Sequence, residues 1–580
     1  MPSENPKRIV IDPLTRIEGH LRIELQTGEG IIEDAWACTT QFRGIEVVMK
    51  NRDPRDAWAF AQRICGVCTA VHALASIAAV EDAVDYAVPV QAQLIRQLVS
   101  MMQIVQDHVI HFYHLQALDW VDVVNVLAAD PTETAKLQAT ISPNWPLSSA
   151  AYFSTVQQRI KTSVGSGQYS IFSNGYWGHP AYKLPPAANL LAVAHYLEAL
   201  EWQREVAKLH TIFGGKNPHP NFLVGGMDCA INLDATLTIN QIRLDQLHSL
   251  VERALTFVEQ VYLPDTLAIA EFYPDWFRIG ASNPNLMAVG DAGDILSGSP
   301  KPAGSIKPGL LVNGDYRTVV SFDMEKILEG VTSAWYAYPP GKEAGLPPWQ
   351  GVTEAQYDGP KPHYKWLSSE QRYTWTKAPR YDGHAVAVGP NARMMLGYAQ
   401  DISEIKNLVD EGLRRLNMPL DPALLNSTLG RIFCRSLESV LTARRMRDVF
   451  QQFVDRIKAG ETTTFSSSKW QPSSWPETCR GVGWVEAPRG TLSHWVVIKK
   501  GAIANYQAVV PSTWNSGGRD AQGQMGPFEY SLANSKSHPL ADPSKPLEVL
   551  RTVHSFDPCQ SCAVQIIDRT GSQLSEVKVQ

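Results

Sequence analysis

The sequence has few cysteines and no long hydrophobic run. It carries 8 cysteines in 580 residues, far too few for the dense disulfide framework of a small secreted protein. No uninterrupted apolar stretch reaches the ~18 residues that a membrane-spanning helix needs. We therefore expect a chain that does not cross a bilayer by itself and does not depend on disulfides.

An excess of basic charge, a secretory leader and internal repeats are also missing. Lys and Arg number 52 against 58 Asp and Glu, which gives a net charge of −6, so no surface for nucleic acid is expected. Residues 1–22 mix charged and apolar side chains and lack the apolar stretch of a signal peptide. No repeat of about 20–50 residues is apparent, which argues against a solenoid or a propeller.

What is present is the composition of a large globular protein, with 44% hydrophobic and 19% charged residues. Alternating patterns near both ends, over residues 8–23 and 481–501, predict strands. Apolar residues recur at helical spacing in much of the remainder. Helices are predicted over residues 53–90, 91–123, 189–210, 240–271, 401–416 and 426–459. We predict an α+β fold that is predominantly helical, with a large central helical bundle and flanking small β-sheets.

We expect one large unit over residues 1–565 rather than separate domains. A stretch rich in Gly and Pro has an irregular apolar pattern and is predicted to be a surface insertion. The predicted parts are an N-terminal β region with the first cysteine pair (1–90), a helical bundle (91–288 and 385–465), the irregular insertion (289–384) and a C-terminal α+β part (466–565).

Half of the cysteines form two pairs with two intervening residues, Cys65/Cys68 and Cys559/Cys562. Four thiolates can bind one soft metal ion. A zinc ribbon places its pairs close together in the chain, whereas these pairs are about 490 positions apart. Spacing alone leaves a catalytic metal and a structural metal equally open. The single cysteines are expected to be small buried residues of the core; they are Cys38, Cys229, Cys434 and Cys479.

The residues around the pairs resemble the two cysteine motifs of the nickel-iron hydrogenase large subunit, most closely in the membrane-bound uptake group. The resemblance extends in the same order along nearly the whole chain. Its motifs are DPLTRIEGH (12–20), FRGIE (42–46), RICGVCTAVH (63–72), GGKNPHPN (214–221), APRG (487–490), VVPSTWN (509–515) and HSFDPCQSCAV (554–564).

The resemblance implies that all four paired cysteines bind nickel. Cys68 and Cys562 would also bridge to an iron that holds two cyanides and one carbon monoxide, while Cys65 and Cys559 would bind nickel alone. The expected activity is the heterolytic and reversible oxidation of H2 to protons and electrons. A bundle with small sheets is the fold that this family implies.

The resemblance also assigns the groups around the metals. Cys559 is the expected first proton acceptor and Glu18 the carboxylate that passes the proton onward, although residues alone favour a salt bridge between Glu18 and Arg16 or Arg22. Arg489 resembles the guanidinium held above the metals. The remaining expected site residues are Asp107 and Asp557, which would hold Arg489, and His72, Pro488 and Ser512, which would contact the cofactor.

Two features at the C-terminal end are tied to maturation and to a second metal. Glu46 and the carbonyl of Ala508 resemble ligands of a magnesium site. The family usually has histidine three residues after the last cysteine, and this chain has Gln565, which leaves the identity of that metal and the cleavage point open. Residues 566–580 resemble an extension that a dedicated maturation protease removes after nickel insertion.

Partners follow from the cysteine count and from the resemblance. The cysteines outside the pairs are scattered rather than grouped for an iron-sulfur relay, so electrons need an iron-sulfur small subunit. Kinship with the uptake group implies a cytochrome b membrane anchor. It also implies attachment at the periplasmic side of the membrane after export with the small subunit, with a cytoplasmic location as the alternative.

Two other functions remain to be weighed. One is the related subunit of respiratory complex I, a quinone-site scaffold without nickel, and both cysteine pairs argue against it. The other is a structural four-cysteine zinc protein, which the wide spacing disfavours. The sequence predicts neither the catalytic bias, the oxygen tolerance, the electron acceptor nor the oligomeric state.

Overall fold

The computed structural model describes residues 7–560 apart from 168, 173–174, 358–365, 369 and 535–537. Helices dominate, as predicted. They are α1 (Ile45–Met49), α2 (Ala57–Ala61), α3 (Val71–Ala83), α4 (Val90–Ile110), α5 (Pro131–Ile141), α6 (Ala150–Gly165), α7 (Pro186–Val206), α8 (Lys208–Gly214), α9 (Gln241–Phe257), α10 (Leu263–Phe272), α11 (Pro390–Ala399), α12 (Ser403–Arg415), α13 (Thr428–Lys458), α14 (Pro511–Ser516), α15 (Pro527–Ala533) and α16 (Leu547–His554).

The strands form small antiparallel sheets around the helices. They are β1 (Lys7–Ile11), β2 (Leu21–Gly28), β3 (Ile31–Thr39), β4 (Leu286–Ala288), β5 (Ile295–Ser297), β6 (Gly309–Val312), β7 (Asp315–Ser321), β8 (Ile327–Gly330), β9 (Ala378–Tyr381), β10 (Thr478–Ala487), β11 (Gly490–Lys499) and β12 (Ala502–Val509). The sheet orders are β1-β2-β3, β12-β11-β10-β5, β4-β6-β7 and β8-β9. This is the predicted α+β architecture. Within the described ranges, no helix is long and apolar enough to cross a membrane.

Helices α4 and α13 pack against each other in the core. Both bury ionisable side chains as well as apolar ones, including Asp107 and His108 on α4 and Arg435 and Glu438 on α13. A buried charge is stable only where it is paired or hydrogen-bonded. The centre of the bundle must therefore contain a connected polar network, and the candidate site lies at its edge.

Close packing of α3 on the β10–β11 hairpin places the first cysteine pair beside Arg489. A Cβ atom at Gly483 would lie 2.1 Å from the carbonyl oxygen of Ala75, so only glycine fits at this crossing. The segment of Cys65 and Cys68 leads directly into α3, while the turn of the hairpin carries Arg489. The helix and the hairpin thus fix both groups in one rigid frame.

Two predictions about local structure are wrong. Residues 53–90 do not form a continuous helix, since short turns and α2 precede an extended residue, Cys65, and α3 begins only at Val71. The helix predicted over residues 91–123 ends at Ile110 and continues as a π-helical segment, His111–Gln116. A π-helical turn contains more residues than an α-helical turn, and a 3-10 turn contains fewer. The spacing of apolar residues in the sequence does not reveal either change.

The prediction of a surface insertion over residues 289–384 also needs correction. Its residues Leu310, Ile327 and Val331 have no exposed area, and β5 extends the central sheet by pairing with β10. Gly- and Pro-rich backbone can be buried where its polar groups find partners. Parts of this irregular stretch therefore belong to the protein interior, while others, such as residues 301–305, are exposed.

Candidate metal centre

Three of the four paired cysteines converge at one buried point. The Sγ atoms of Cys65, Cys68 and Cys559 all lie within 4.8 Å of one another, and those of Cys65 and Cys559 are 3.4 Å apart. The exposed fraction of each residue is at most 4%. Cys562 lies outside the described residues. The predicted convergence of the two chain ends is confirmed for the three cysteines that the structure describes.

The first pair is held by a loop between helical segments. A 3-10 turn, Gln62–Ile64, ends before Cys65, whose backbone is extended. The backbone amides of Val67 and Cys68 point at the Cys65 sulfur, with N–S distances of 3.3 and 3.1 Å. Amide donors of this kind stabilise the thiolate form that binds a metal.

The second pair is tied to the N-terminal region by backbone pairing. Glu18 and Cys559 form an isolated parallel β-bridge, in which the Gln560 amide donates to the Glu18 carbonyl at 2.8 Å. The Cys559 thiol donates to Oε2 of Glu18 across 3.1 Å. The structure thus places the expected proton acceptor and the expected relay in direct contact. Two arginines, Arg16 and Arg22, were considered as salt-bridge partners of Glu18. In the structure, Arg16 donates a hydrogen bond to Asp119 and Arg22 donates one to Asp12.

Arg489 lies in the turn between β10 and β11 and is held by two carboxylates. It donates to the carbonyl and to Oδ1 of Asp557, at 2.9 Å each, and its Nη1 is 3.5 Å from Oδ2 of Asp107. All three residues are buried. Asp107 therefore lies in the interior beside Arg489 and not on the surface of its helix. The resemblance correctly grouped these three residues.

The two carboxylates differ in their electrostatics. Burial raises the pKa of Asp107 well above its usual value, despite the attraction of Arg489. Burial also acts to raise the pKa of Asp557, but the charges of Arg489, His111 and Arg435 outweigh it and leave the pKa below its usual value. Asp557 has a φ of 58°, a left-handed conformation that costs energy in a residue with a side chain. This strain lies two residues from Cys559.

His72 and Ser512 also adjoin the cysteines. His72 Nδ1 lies 3.0 Å from Nε2 of His494, and His494 Nδ1 lies 2.6 Å from the hydroxyl of Tyr506. Burial lowers the pKa of His72 to about 4, so the ring is neutral at pH 7. The Ser512 hydroxyl accepts the Cys559 amide at 3.1 Å and keeps its own hydrogen to donate. Sequence reasoning missed His494 and Tyr506, which carry no motif.

Pro488 is adjacent to Arg489, and its carbonyl oxygen is 3.3 Å from the Arg435 guanidinium. Three histidines recur at helical spacing on α4 and the π-helical segment after it, namely His108, His111 and His114. They do not form another metal site. His108 bonds Glu438, whereas His111 and His114 bond backbone carbonyls.

The predicted magnesium ligands belong to a separate buried cluster. The Ala508 amide donates to Oε1 of Glu46 at 2.9 Å. Lys377 Nζ lies 3.4 Å from Oε2 of Glu46 and 4.0 Å from Glu329. Burial raises the pKa of Glu329 to about 7, and neither of its oxygens has a hydrogen-bond partner among the described residues. Two carboxylates therefore face one ammonium, while Gln565 lies outside the described residues.

A second network of buried charged residues joins α11, α13 and β10. Arg393 donates to both oxygens of Glu438, at 2.7 Å each, and to Glu486 at 2.8 Å. Burial acts to raise the pKa of Glu438, but the charge and hydrogen bonds of Arg393 and His108 lower it to about 2. Because the folded pKa lies below the ordinary value of 4.5, this carboxylate stabilises the fold above pH 4.5 and loses that contribution as the pH falls towards 2.

We predict that Glu438→Gln lowers the free energy of unfolding at pH 7 by about 3–5 kcal/mol, because it removes the carboxylate that accepts two hydrogen bonds from the buried Arg393 and leaves Glu486 to balance that charge. Chemical denaturation should show that the difference in free energy of unfolding between the variant and wild type becomes smaller below pH 4. The control is Glu411→Gln, which removes an exposed pair with Arg415 and is expected to cost less than about 1 kcal/mol. A difference that does not depend on pH would contradict the predicted role of the charge.

Comparisons with known proteins extend over the whole chain. The family model described as "Nickel-dependent hydrogenase" matches residues 43–565, and one described as "HoxL-like" matches residues 8–42. The uptake hydrogenase large subunit of Bradyrhizobium diazoefficiens is 50% identical, over 99% of this chain and 97% of its own length. The hydrogenase-1 large chain of Escherichia coli K12 is 45% identical over the same shares.

A solved structure shows the same fold. The nickel-iron-selenium hydrogenase of Desulfovibrio vulgaris Hildenborough superimposes with a TM-score of 0.73 at 29% identity, covering 97% of this chain and 100% of that one. The similarity therefore includes both cysteine regions.

Proposed function

The chain belongs to the nickel-dependent hydrogenase family, and on this basis we propose which role each of its site residues has in hydrogen oxidation. It is the large, catalytic subunit of a nickel-iron hydrogenase and resembles the uptake type. Its relatives favour neither a complex I scaffold nor a structural zinc protein. The observation that carries the proposal is the cluster of three buried thiols with a carboxylate in contact with one of them.

The donor set fits a nickel-iron centre. Cys65, Cys68 and Cys559 supply three soft ligands within reach of one metal ion, and we propose Cys562 as the fourth. Cys68 and Cys562 would also hold the iron with its two cyanides and one carbon monoxide. When bound, this centre supplies the heterolytic cleavage of H2.

Glu18 would move the proton that the reaction releases. Its Oε2 is the hydrogen-bond acceptor of the Cys559 thiol, so a proton on this sulfur can pass to the carboxylate in one step. General acid–base transfer needs heavy-atom contacts of this kind. The backbone bridge between Glu18 and Cys559 keeps donor and acceptor together.

Arg489 would present a fixed cation to the reacting centre. Asp557 accepts two of its hydrogen bonds, while its Nη1 has no hydrogen-bond partner among the described residues. A buried donor without a partner in the protein is suited to a ligand group. Ser512 would donate its hydroxyl hydrogen to a cyanide, His72 would lie near a bridging sulfur, and Pro488 would contact the cofactor.

The function is tested by nickel and iron analysis of the purified heterodimer, combined with infrared spectroscopy and H2 uptake. We expect stoichiometric nickel and iron and infrared bands of carbon monoxide and cyanide. Stoichiometric zinc without such bands would refute the proposal.

A magnesium ion is proposed beside Glu46, with the Ala508 carbonyl and Gln565 as further ligands. The charges support a cation here, since Glu46 and Glu329 face the single ammonium of Lys377. Carboxylate, carbonyl and amide oxygens are the hard ligands that magnesium prefers.

We predict that the wild-type subunit holds one magnesium ion and that Glu46→Gln loses it while nickel content stays within about twofold, because hard-oxygen and thiolate sites select different metals. Elemental analysis measures both metals in one sample. Exposed Glu29 offers the control, Glu29→Gln, which should retain both. Wild-type enzyme without magnesium would mean that Lys377 alone neutralises this cluster.

As a large subunit, the chain pairs with a small subunit. We propose that the partner carries the iron-sulfur relay and that a cytochrome b anchors the pair at the periplasmic side of the membrane. A maturation protease is proposed to remove residues 566–580. Mass spectrometry of the mature subunit tests the cleavage, and fractionation tests the location.

A further inference from the structure

Arg435 is a buried cation on the face of α13 that adjoins the Arg489 turn. Its exposed fraction is 1%. Oδ2 of Asp557 lies 3.9 Å from Nη1 of Arg435, which is too long for a hydrogen bond. A guanidinium buried in this way needs hydrogen bonds from elsewhere.

Two of those hydrogen bonds go to the chain segments that form the site, and a third contact, of 3.4 Å, joins Nη1 to Nδ1 of His108 on α4. Nη1 of Arg435 donates to the carbonyl of Pro488 at 3.3 Å, and Nη2 donates to the carbonyl of Ser555 at 3.2 Å. Pro488 precedes Arg489, and Ser555 lies two residues before Asp557. One planar group thus joins the backbone beside the site arginine to the backbone that leads to its counter-ion and to Cys559.

Neighbouring arginines hold each segment separately. Arg431, one turn earlier on α13, donates to the Ser555 hydroxyl at 2.8 Å, and Arg393 on α11 donates to the Ala487 carbonyl at 2.9 Å. By these hydrogen bonds each reaches one side, whereas Arg435 reaches both. Lysine is a poor replacement, because its single ammonium does not reproduce the rigid fork of the guanidinium.

We propose that Arg435 is a positioning residue of the hydrogenase reaction, which sets the separation between Arg489 and the Asp557–Cys559 segment. This inference rests on the proposed roles of Arg489 and Cys559. Arg489 and Asp557 are themselves joined by side-chain hydrogen bonds, but those bonds allow the two backbones to move together. Arg435 ties both backbones to the rigid helix α13.

The test compares Arg435→Lys and Arg435→Met with Arg96→Lys in the assembled heterodimer. Arg96 is a matched control, because it is buried and donates to the carbonyls of Leu223 and Gly226 as well as to Glu81. Each variant is assayed for nickel content, for kcat and KM with H2, and for the infrared bands of carbon monoxide and cyanide.

For Arg435→Lys we expect normal nickel content, a kcat lowered about 10²-fold with KM for H2 nearly unchanged, and shifted infrared bands, because a misplacement of about 1 Å costs this much. Arg435→Met should lose more activity, and Arg96→Lys should keep wild-type bands. Wild-type kcat and bands in Arg435→Lys would overturn the inference. The inference would also be overturned if the Arg435 variants lost nickel and activity to the same extent as Arg96→Lys, because that result would indicate a role in stability alone. If wild-type enzyme itself lacks the bands, the proposed function fails instead.

Discussion

Cys65→Ser is expected to leave the subunit without nickel and to lower H2 oxidation at least ~10³-fold. A hydroxyl is a poor ligand for a soft metal and is not deprotonated as readily as a thiol. Of the three thiols that cluster in the structure, only those of Cys68 and Cys559 then remain to bind a soft metal. Elemental analysis of the purified heterodimer, together with an H2 uptake assay, measures both effects.

Cys479→Ser is the matched control, because this single, half-buried cysteine of β10 is not part of the thiol cluster. It should retain nickel and activity. Stoichiometric nickel in Cys65→Ser would show that Cys65 is not a ligand and would remove the basis of the proposed centre.

Glu18→Gln is expected to retain nickel and the infrared bands but to lose about 10²–10⁴-fold in turnover, the range of general acid–base catalysis. The amide keeps the size of the side chain and cannot accept and release a proton as the carboxylate does. Because Glu18 contacts the Cys559 sulfur directly, exchange of hydrogen isotopes between H2 and water should fall with turnover.

Two further variants sharpen this prediction. Glu18→Asp keeps the acid but shortens its reach, so partial activity is expected. Glu29→Gln alters an exposed carboxylate in the turn after β2 and should behave as wild type. Turnover in Glu18→Gln equal to that of wild type would show that the proton leaves Cys559 by another route.

The extent to which the sequence predicts this molecule differs between the fold and the site. Helical periodicity correctly locates α4, α9, α12 and α13, because their apolar faces pack on one core. It fails at residues 62–70, where the backbone is arranged around Cys65 rather than by the packing of an amphipathic face. A local pattern does not encode such an irregularity.

The site was predicted from motifs rather than from spacing. Nothing local to Asp107 distinguishes it from a helix-surface charge, and only the resemblance placed it with Arg489. Arg435 was missed for the same reason, because a lone arginine has no motif. Yet Arg431, Arg435 and Glu438 recur at helical spacing, and they lie in the part of α13, residues 428–443, that is buried throughout. Opposite charges at this spacing were visible in the sequence, and inside a core they must be paired.

The bridge between Glu18 and Cys559 links the docking of the C-terminal segment to the balance of charge in the interior. Asp557, the counter-charge of Arg489, travels on the segment that makes this bridge. Before that segment docks, Arg489 lacks one of the two carboxylates that hold it in the folded chain, and a buried guanidinium without its full counter-charge opposes compaction. Docking that segment supplies the missing anion and the thiol of Cys559 in one event, so the charge balance of the interior and the thiol cluster are completed together.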